Sequence, residues 1–155
     1  MNELSLDNIV LSSSSQDAKY ALVYTNWNSK LTEIMLSEAK KELLNNSVKE
    51  VNITTLRVPG AFELPLGAKS VSRKDDVDAI ICLGVVIKGD TPHFEFICNS
   101  CSQAIINLSL ELLRPVIFGV LTTNNLDEAE ERIDPSKMNK GKEFAKTAMQ
   151  MLENL

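Results

Sequence analysis

The chain has 155 residues, 44% hydrophobic and 24% charged, which fits one soluble globular domain with a real core. A net charge of −5 and 5% aromatic content speak against nucleic acid, whose binding rests on basic surface and counterion release. No apolar stretch approaches the ~20 residues that span a bilayer, and the first residues lack the basic and apolar regions of a signal peptide, so no membrane partner and a cytoplasmic location are expected.

Residues 1–17 are polar, with a serine run at 12–15, and read as a loose N-terminal arm. Within it Ile9-Val10-Leu11 is apolar enough to add as a short edge strand. Residues 18–155 form the domain proper, and they alternate regularly. Residues 20–24 read as a strand ending at Asn26-Trp27-Asn28. Ser29 caps a helix running to about Asn45, with Leu31, Ile34, Met35, Ala39 and Leu43 near one face. Residues 51–58 form a second strand rich in β-branched side chains. Pro59-Gly60 breaks it, and 61–72 is a helix that tolerates Pro65 in its first turns. Residues 78–86 are a third, continuously apolar strand, 94–113 a long helix, and 115–121 a fourth strand. Two more helices, 126–133 and 141–152, flank a turn-rich segment that contains Asp134-Pro135.

Strands and helices at this spacing form right-handed βαβ units around a four-stranded parallel sheet, an α/β/α sandwich. Continuous apolar strands suit a sheet covered on both faces. In such sheets ligands bind beyond the carboxyl ends of the strands. Trp27, the 59–63 turn, the 86–93 loop and Thr122-Thr123 all follow strands, so all four belong to one edge.

The 84–96 segment is the most informative. A buried strand runs through Gly84 and Gly89 into a helix start, with Thr91 as N-cap, Pro92 in the first helical position and the chain's single histidine, His93, in the first turn. Such a helix N-terminus offers backbone N–H groups to an anion, and an imidazole beside it can move protons. Trp27, the only tryptophan, stands between asparagines rather than inside an apolar run, and is read as a stacking surface for a flat ring. Phe62 and Glu63 stand at the start of a helix, where Glu63 also complements the helix dipole. Arg132 can grip phosphate with two prongs and Lys140 can add charge, although both also read as ordinary solvated residues after an acidic helix. Cys82, Cys98 and Cys101 make an odd number, so no disulfide framework is expected. The C-x-x-C pair lies inside a helix, away from the N-terminal field that would activate it, and reads as packing. No Walker loop, dinucleotide fingerprint, zinc-protease or serine-elbow motif is present, and too few metal ligands gather for zinc.

Taken together the segments 26–28, 58–65, 84–94, 115–123 and 131–141 resemble the 6,7-dimethyl-8-ribityllumazine synthase family, from about residue 21 to 151. The resemblance implies a flavodoxin-like fold. It implies condensation of 5-amino-6-(ribitylamino)uracil with 3,4-dihydroxy-2-butanone 4-phosphate, the penultimate step of riboflavin synthesis, without metal or organic cofactor. By motif, Trp27 would stack on the pyrimidine, where the family often has phenylalanine. Ala61, Phe62, Glu63, Val85, Val86 and Ile87 would hold the aminouracil. Asp90 and Thr91 would form the phosphate loop, and His93 would shuttle protons. Phe118 and Arg132 would reach in from a neighbouring subunit, Arg132 binding phosphate with Lys140. The family builds pentamers, some assembled into a 60-subunit shell. The chain departs from the family pattern at Ile133-Asp134-Pro135-Ser136-Lys137-Met138, a change that bears on how Lys137 and Lys140 approach the phosphate. A flavin carrier without turnover and a shell protein with a decayed site are the competing readings.

Overall fold

A computed structural model describes residues 10–155. In chain order the elements are α1 (Ser13–Asp17), β1 (Tyr20–Thr25), α2 (Ser29–Asn45), β2 (Ile53–Val58), α3 (Leu64–Lys74), β3 (Ala79–Ile87), α4 (His93–Leu112), β4 (Val116–Thr123), α5 (Leu126–Ile133) and α6 (Lys140–Asn154). The strands make one all-parallel sheet in the order β2-β1-β3-β4. The expected α/β/α sandwich with a four-stranded parallel sheet is therefore present.

Side chains alternate across the sheet with the period-2 pleat. Tyr20, Leu22, Ile81 and Leu83 pack with Met35 and Leu43 of α2, Ala129 of α5, and Ala145 and Met149 of α6. Ala21, Val23, Ile80 and Cys82 pack on the opposite side with Leu64 and Ala68 of α3 and Cys101 and Ile105 of α4. Seven consecutive residues of β3 are buried, as a central strand covered on both faces requires. The connections run outward from β1 to β2, then cross back to β3 and β4. The direction of winding reverses between β1 and β3, which opens a crevice at their carboxyl ends.

Six features differ from expectation. The arm is not wholly loose: Ser13–Asp17 forms a short helix whose first turn is closed by the Ser15 N–H donating to Ser12 Oγ at 3.4 Å. Val10 and Leu11 join no strand, and Ile9 lies outside the described residues; Leu11 is buried in the core instead. Asn28, rather than Ser29, occupies the cap position of α2. β2 starts at Ile53, because Glu50–Asn52 coils into a 3₁₀ turn that leaves Val51 exposed. The third helical region is split: Ala61–Glu63 is a 3₁₀ turn, and α3 begins at Leu64 with Pro65 in its first positions, where its missing N–H costs nothing. At the start of α4, Pro92 takes the cap position and His93 is the first helical residue, so Thr91 lies just before the cap.

Candidate active site

The crevice between β1 and β3 opens into a cleft of about 710 Å³. Its walls come from three strand ends. Trp27 and Asn28 follow β1; Ala61, Phe62 and Glu63 follow β2; Val85, Val86 and Ile87 close β3, with Thr91 and His93 beyond them. All ten stand where the topology reverses, so one edge of the sheet brings together residues up to 66 positions apart, from Trp27 to His93.

Each wall has a local cause. Strand β1 ends as the backbone N–H groups of Asn26 and Trp27 donate to Val58 O at 2.8 Å and Pro59 O at 2.9 Å. The Thr25 hydroxyl donates to Trp27 O at 3.1 Å, and the Thr32 hydroxyl donates to Thr25 O at 2.9 Å. Trp27 is thus anchored through its backbone while its indole stays 74% exposed along the cleft. In the second wall, Glu63 Oε2 accepts the N–H of Gly60 at 3.0 Å. That bond closes the 3₁₀ turn, and Glu63 is an exposed residue of the cleft lining. Phe62, 60% exposed, stands beside it. In the third wall, Val85 is buried, whereas Val86 and Ile87 are half-buried at the cleft floor.

The loop between β3 and α4 is held at both ends. Lys88 N–H donates to Thr123 O at 2.8 Å, and its ammonium stands 3.5 Å from Glu95 in the first turn of α4. Gly89, Thr91 and His93 line the cleft; Asp90 is exposed on the loop and is not among the lining residues. The N–H groups of the first turn of α4 have no helical acceptors of their own, so this end of the cleft is the one suited to an anion.

Three expected site residues lie away from this cleft. Phe118, on the edge strand β4, lines a separate hollow of about 330 Å³ with Ile105, Ile106 and Val116. Arg132 ends α5 and donates from Nη1 to Glu128 O at 2.9 Å. Lys140 starts α6 and pairs with both Glu143 oxygens at 2.8 and 3.0 Å. One chain alone therefore supplies the aromatic and apolar walls, the loop and the imidazole, but no arginine.

The structure adds Thr25, Asn28, Gly60, Phe94, Phe96 and Ile97 to the lining. Phe96 and Ile97 follow His93 at helical i+3 and i+4 spacing, a signal that would have found them. Asn28 carries no comparable signal. Its place follows from a contact with β3, 57 residues away in sequence.

The cysteines take no part. Cys82 and Cys101 are buried and Cys98 half-buried, and all three are free thiols. Burial, then the neighbouring Cys98, pushes the Cys101 thiol up to about 11, and burial raises Cys82 further still. Cys98 is raised too, by burial and then by Glu95, so none of them favours the thiolate. Among the described residues no three of His, Cys, Asp and Glu come together as a group that could hold a metal, and no helix is long and apolar enough to cross a membrane.

An open parallel sheet with this cleft at its switch point defines a small flavodoxin-like α/β enzyme, with an aromatic surface at one end of the site and an anion-suited loop at the other. Residues 17–155 match the family model described as 6,7-dimethyl-8-ribityllumazine synthase. The chain is 46% identical over 133 residues to the 6,7-dimethyl-8-ribityllumazine synthase of Cytophaga hutchinsonii, a match covering 86% of this chain and 84% of that one. To the protein of the same name from Bacteroides fragilis it is 42% identical over 135 residues, covering 87% of this chain and 94% of that one. The chain belongs to the 6,7-dimethyl-8-ribityllumazine synthase family.

Proposed function

We propose that this transferase condenses 5-amino-6-(D-ribitylamino)uracil with 3,4-dihydroxy-2-butanone 4-phosphate, giving 6,7-dimethyl-8-ribityllumazine, phosphate and water, the penultimate step of riboflavin biosynthesis. The observation that carries this reading is the pairing, in one cleft, of an exposed stacking aromatic with a histidine-bearing loop at a helix N-terminus. Trp27 stacks on the pyrimidine ring. Ala61, Phe62 and Glu63 with Val85, Val86 and Ile87 hold the uracil edge and the ribityl chain. Asp90 and Thr91 contribute the phosphate loop. Phe118, Arg132 and Lys140 come from an adjacent subunit, Arg132 and Lys140 clamping the phosphate.

The chemistry suits these groups. The aromatic amine is already a nucleophile, so no activated serine or cysteine is needed. The amine attacks the ketone and loses water to give an imine; phosphate is eliminated to leave an enol that tautomerises to a carbonyl; the second nitrogen attacks that carbonyl and a second water leaves as the ring closes. His93 moves the protons, and the cationic clamp stabilises the leaving phosphate. Holding two partners in register is worth up to ~7–11 kcal/mol, more than the roughly 10²–10⁴-fold of one acid–base group.

Sites shared in this way require an oligomer, so the chain works as a pentamer or as a 60-subunit shell of pentamers in the cytoplasm, with residues 18–155 as the catalytic domain and 1–17 as its arm. No metal or organic cofactor enters this scheme. Purified protein given both substrates should produce the lumazine, followed by its absorbance and fluorescence. If both substrates are turned over by nothing in that mixture, the reading fails.

A further inference from the structure

Asn28 occupies the cap position of α2 in the left-handed region, at φ 57° and ψ 40°. Asparagine is one of the few residues other than glycine that adopts this conformation readily. A capping asparagine normally turns its side chain back onto the helix, accepting a free N–H of the first turn. Here it makes no such bond. The carboxamide instead crosses to β3 and donates from Nδ2 to Val85 O at 2.8 Å. The acceptor is a carbonyl, so the donor must be the nitrogen. Pairing between β1 and β3 ends at Tyr24 and Leu83, whereas β3 runs on beside β4 to Ile87. Asn28 thus fills the place beside β3 that β1 has vacated.

The consequence is mechanical. The turn carrying Trp27 is tied to the β2 side by two backbone bonds, to Val58 and Pro59, which any sequence could make. It is tied to the β3 side by this one side chain. Trp27 and Val85 both line the same cleft. We propose that Asn28 is a positioning residue, whose carboxamide sets the separation of the Trp27 surface from the Val85–Ile87 wall and so tunes binding of the planar substrate. The inference rests on the reading of this cleft as the aminouracil site.

Two variants test it. Asn28→Gly keeps the left-handed backbone and deletes the donor; Asn28→Asp keeps the shape but sets a carboxylate oxygen against the Val85 carbonyl. Loss of one such bond should raise KM for the aminouracil roughly five- to tenfold, more in the aspartate variant, with a smaller change in kcat. Because Trp27 is the only tryptophan, its emission anisotropy in the free protein reports the same turn directly, and it should fall in both variants. Unchanged anisotropy and KM in the glycine variant, or a lowered Tm with both unchanged, would overturn the proposal. If the parent enzyme made no lumazine, the substrate reading would be lost, while the anisotropy would still decide whether Asn28 holds the turn.

Discussion

His93 is exposed at the first position of α4 and lines a cleft whose other walls are aromatic and apolar. In the proposed reaction the amine is already a nucleophile, so the share of the rate proposed for His93 is proton transfer alone. His93→Ala should lower kcat by about 10²-fold, near the low end for general acid–base catalysis, while KM for both substrates moves little. Complete loss of turnover in pre-steady-state measurements would instead make the imidazole indispensable. The cysteines lead to the opposite expectation. Because burial holds the Cys98 and Cys101 thiols protonated at neutral pH, the double variant Cys98→Ser, Cys101→Ser should keep its kcat within about twofold and lose on the order of 1 kcal/mol of stability for the hydroxyl placed in the core. Thermal denaturation alongside the product assay separates the two effects.

At the scale of elements, two contacts decide how the helices frame the site. Helix α6 approaches α2 at Gly141, where an added Cβ would lie 2.5 Å from the Met35 carbonyl oxygen. Backbone cannot yield there as a flexible side chain would, so Gly141→Ala should destabilise the chain by roughly 1–3 kcal/mol or more, read as a lowered denaturant midpoint. Lys140 stands next to it, so the same change should also disturb the phosphate clamp. The second contact ties α1 to the end of α6. Glu153 Oε1 accepts from the Ser12 N–H at 2.7 Å and from its hydroxyl at 2.9 Å. Hydrogen bonds from Ser15 and Ser12 hold this carboxyl below its ordinary value of 4.5. A depressed native pKa gives stability that is fully present above the unfolded value and is lost as pH falls through the native one. Docking of α1 should therefore persist at neutral pH and loosen below pH 4.5, whereas Glu153→Gln should blunt that dependence; amide exchange at Ser15 and Gln16 would follow it.

At the scale of the whole molecule, one chain brings Trp27, Phe62 and His93 to one cleft but leaves Phe118 and Arg132 outside it. A cleft with Trp27, Phe62 and Phe96 all largely exposed is unusual for a finished monomer surface, and favours cover by a ligand or by a second copy. Mixing supplies a test. His93→Ala and Arg132→Ala proteins, each weakly active, should regain activity when unfolded and refolded together, because hybrid oligomers would contain sites carrying both native residues. No recovery, in a mixture whose sedimentation proves co-assembly, would place Arg132 in the same subunit's site.

Much of this was legible in the chain itself. Period-3.6 patterning marks the longer helices, because burial of one face imposes it, and short apolar or β-branched runs mark the strands of a sheet covered on both faces. Glycine and proline at 59–60 and 89–92 mark the strand exits, and the carboxyl-edge rule alone puts Trp27, Phe62 and His93 on one edge. Capping was read less well. Ser29 and Thr91 have the expected side chains, yet Asn28 and Pro92 take the cap positions, Asn28 with its carboxamide bonded to Val85, 57 residues away. The serine run gave no hydrophobic period to read; its helix exists only where Glu153, 141 residues from Ser12, meets it. Sequence alone determined the order of elements, the side of the sheet that binds, and most of the chemical groups there, since these follow from local pattern and handedness. Only the tertiary structure decided which of those groups share a cleft in one chain, that Phe118, Arg132 and Lys140 do not, and that Asn28 spans the gap between two strands. Those are distances between remote segments, and no local pattern encodes a distance.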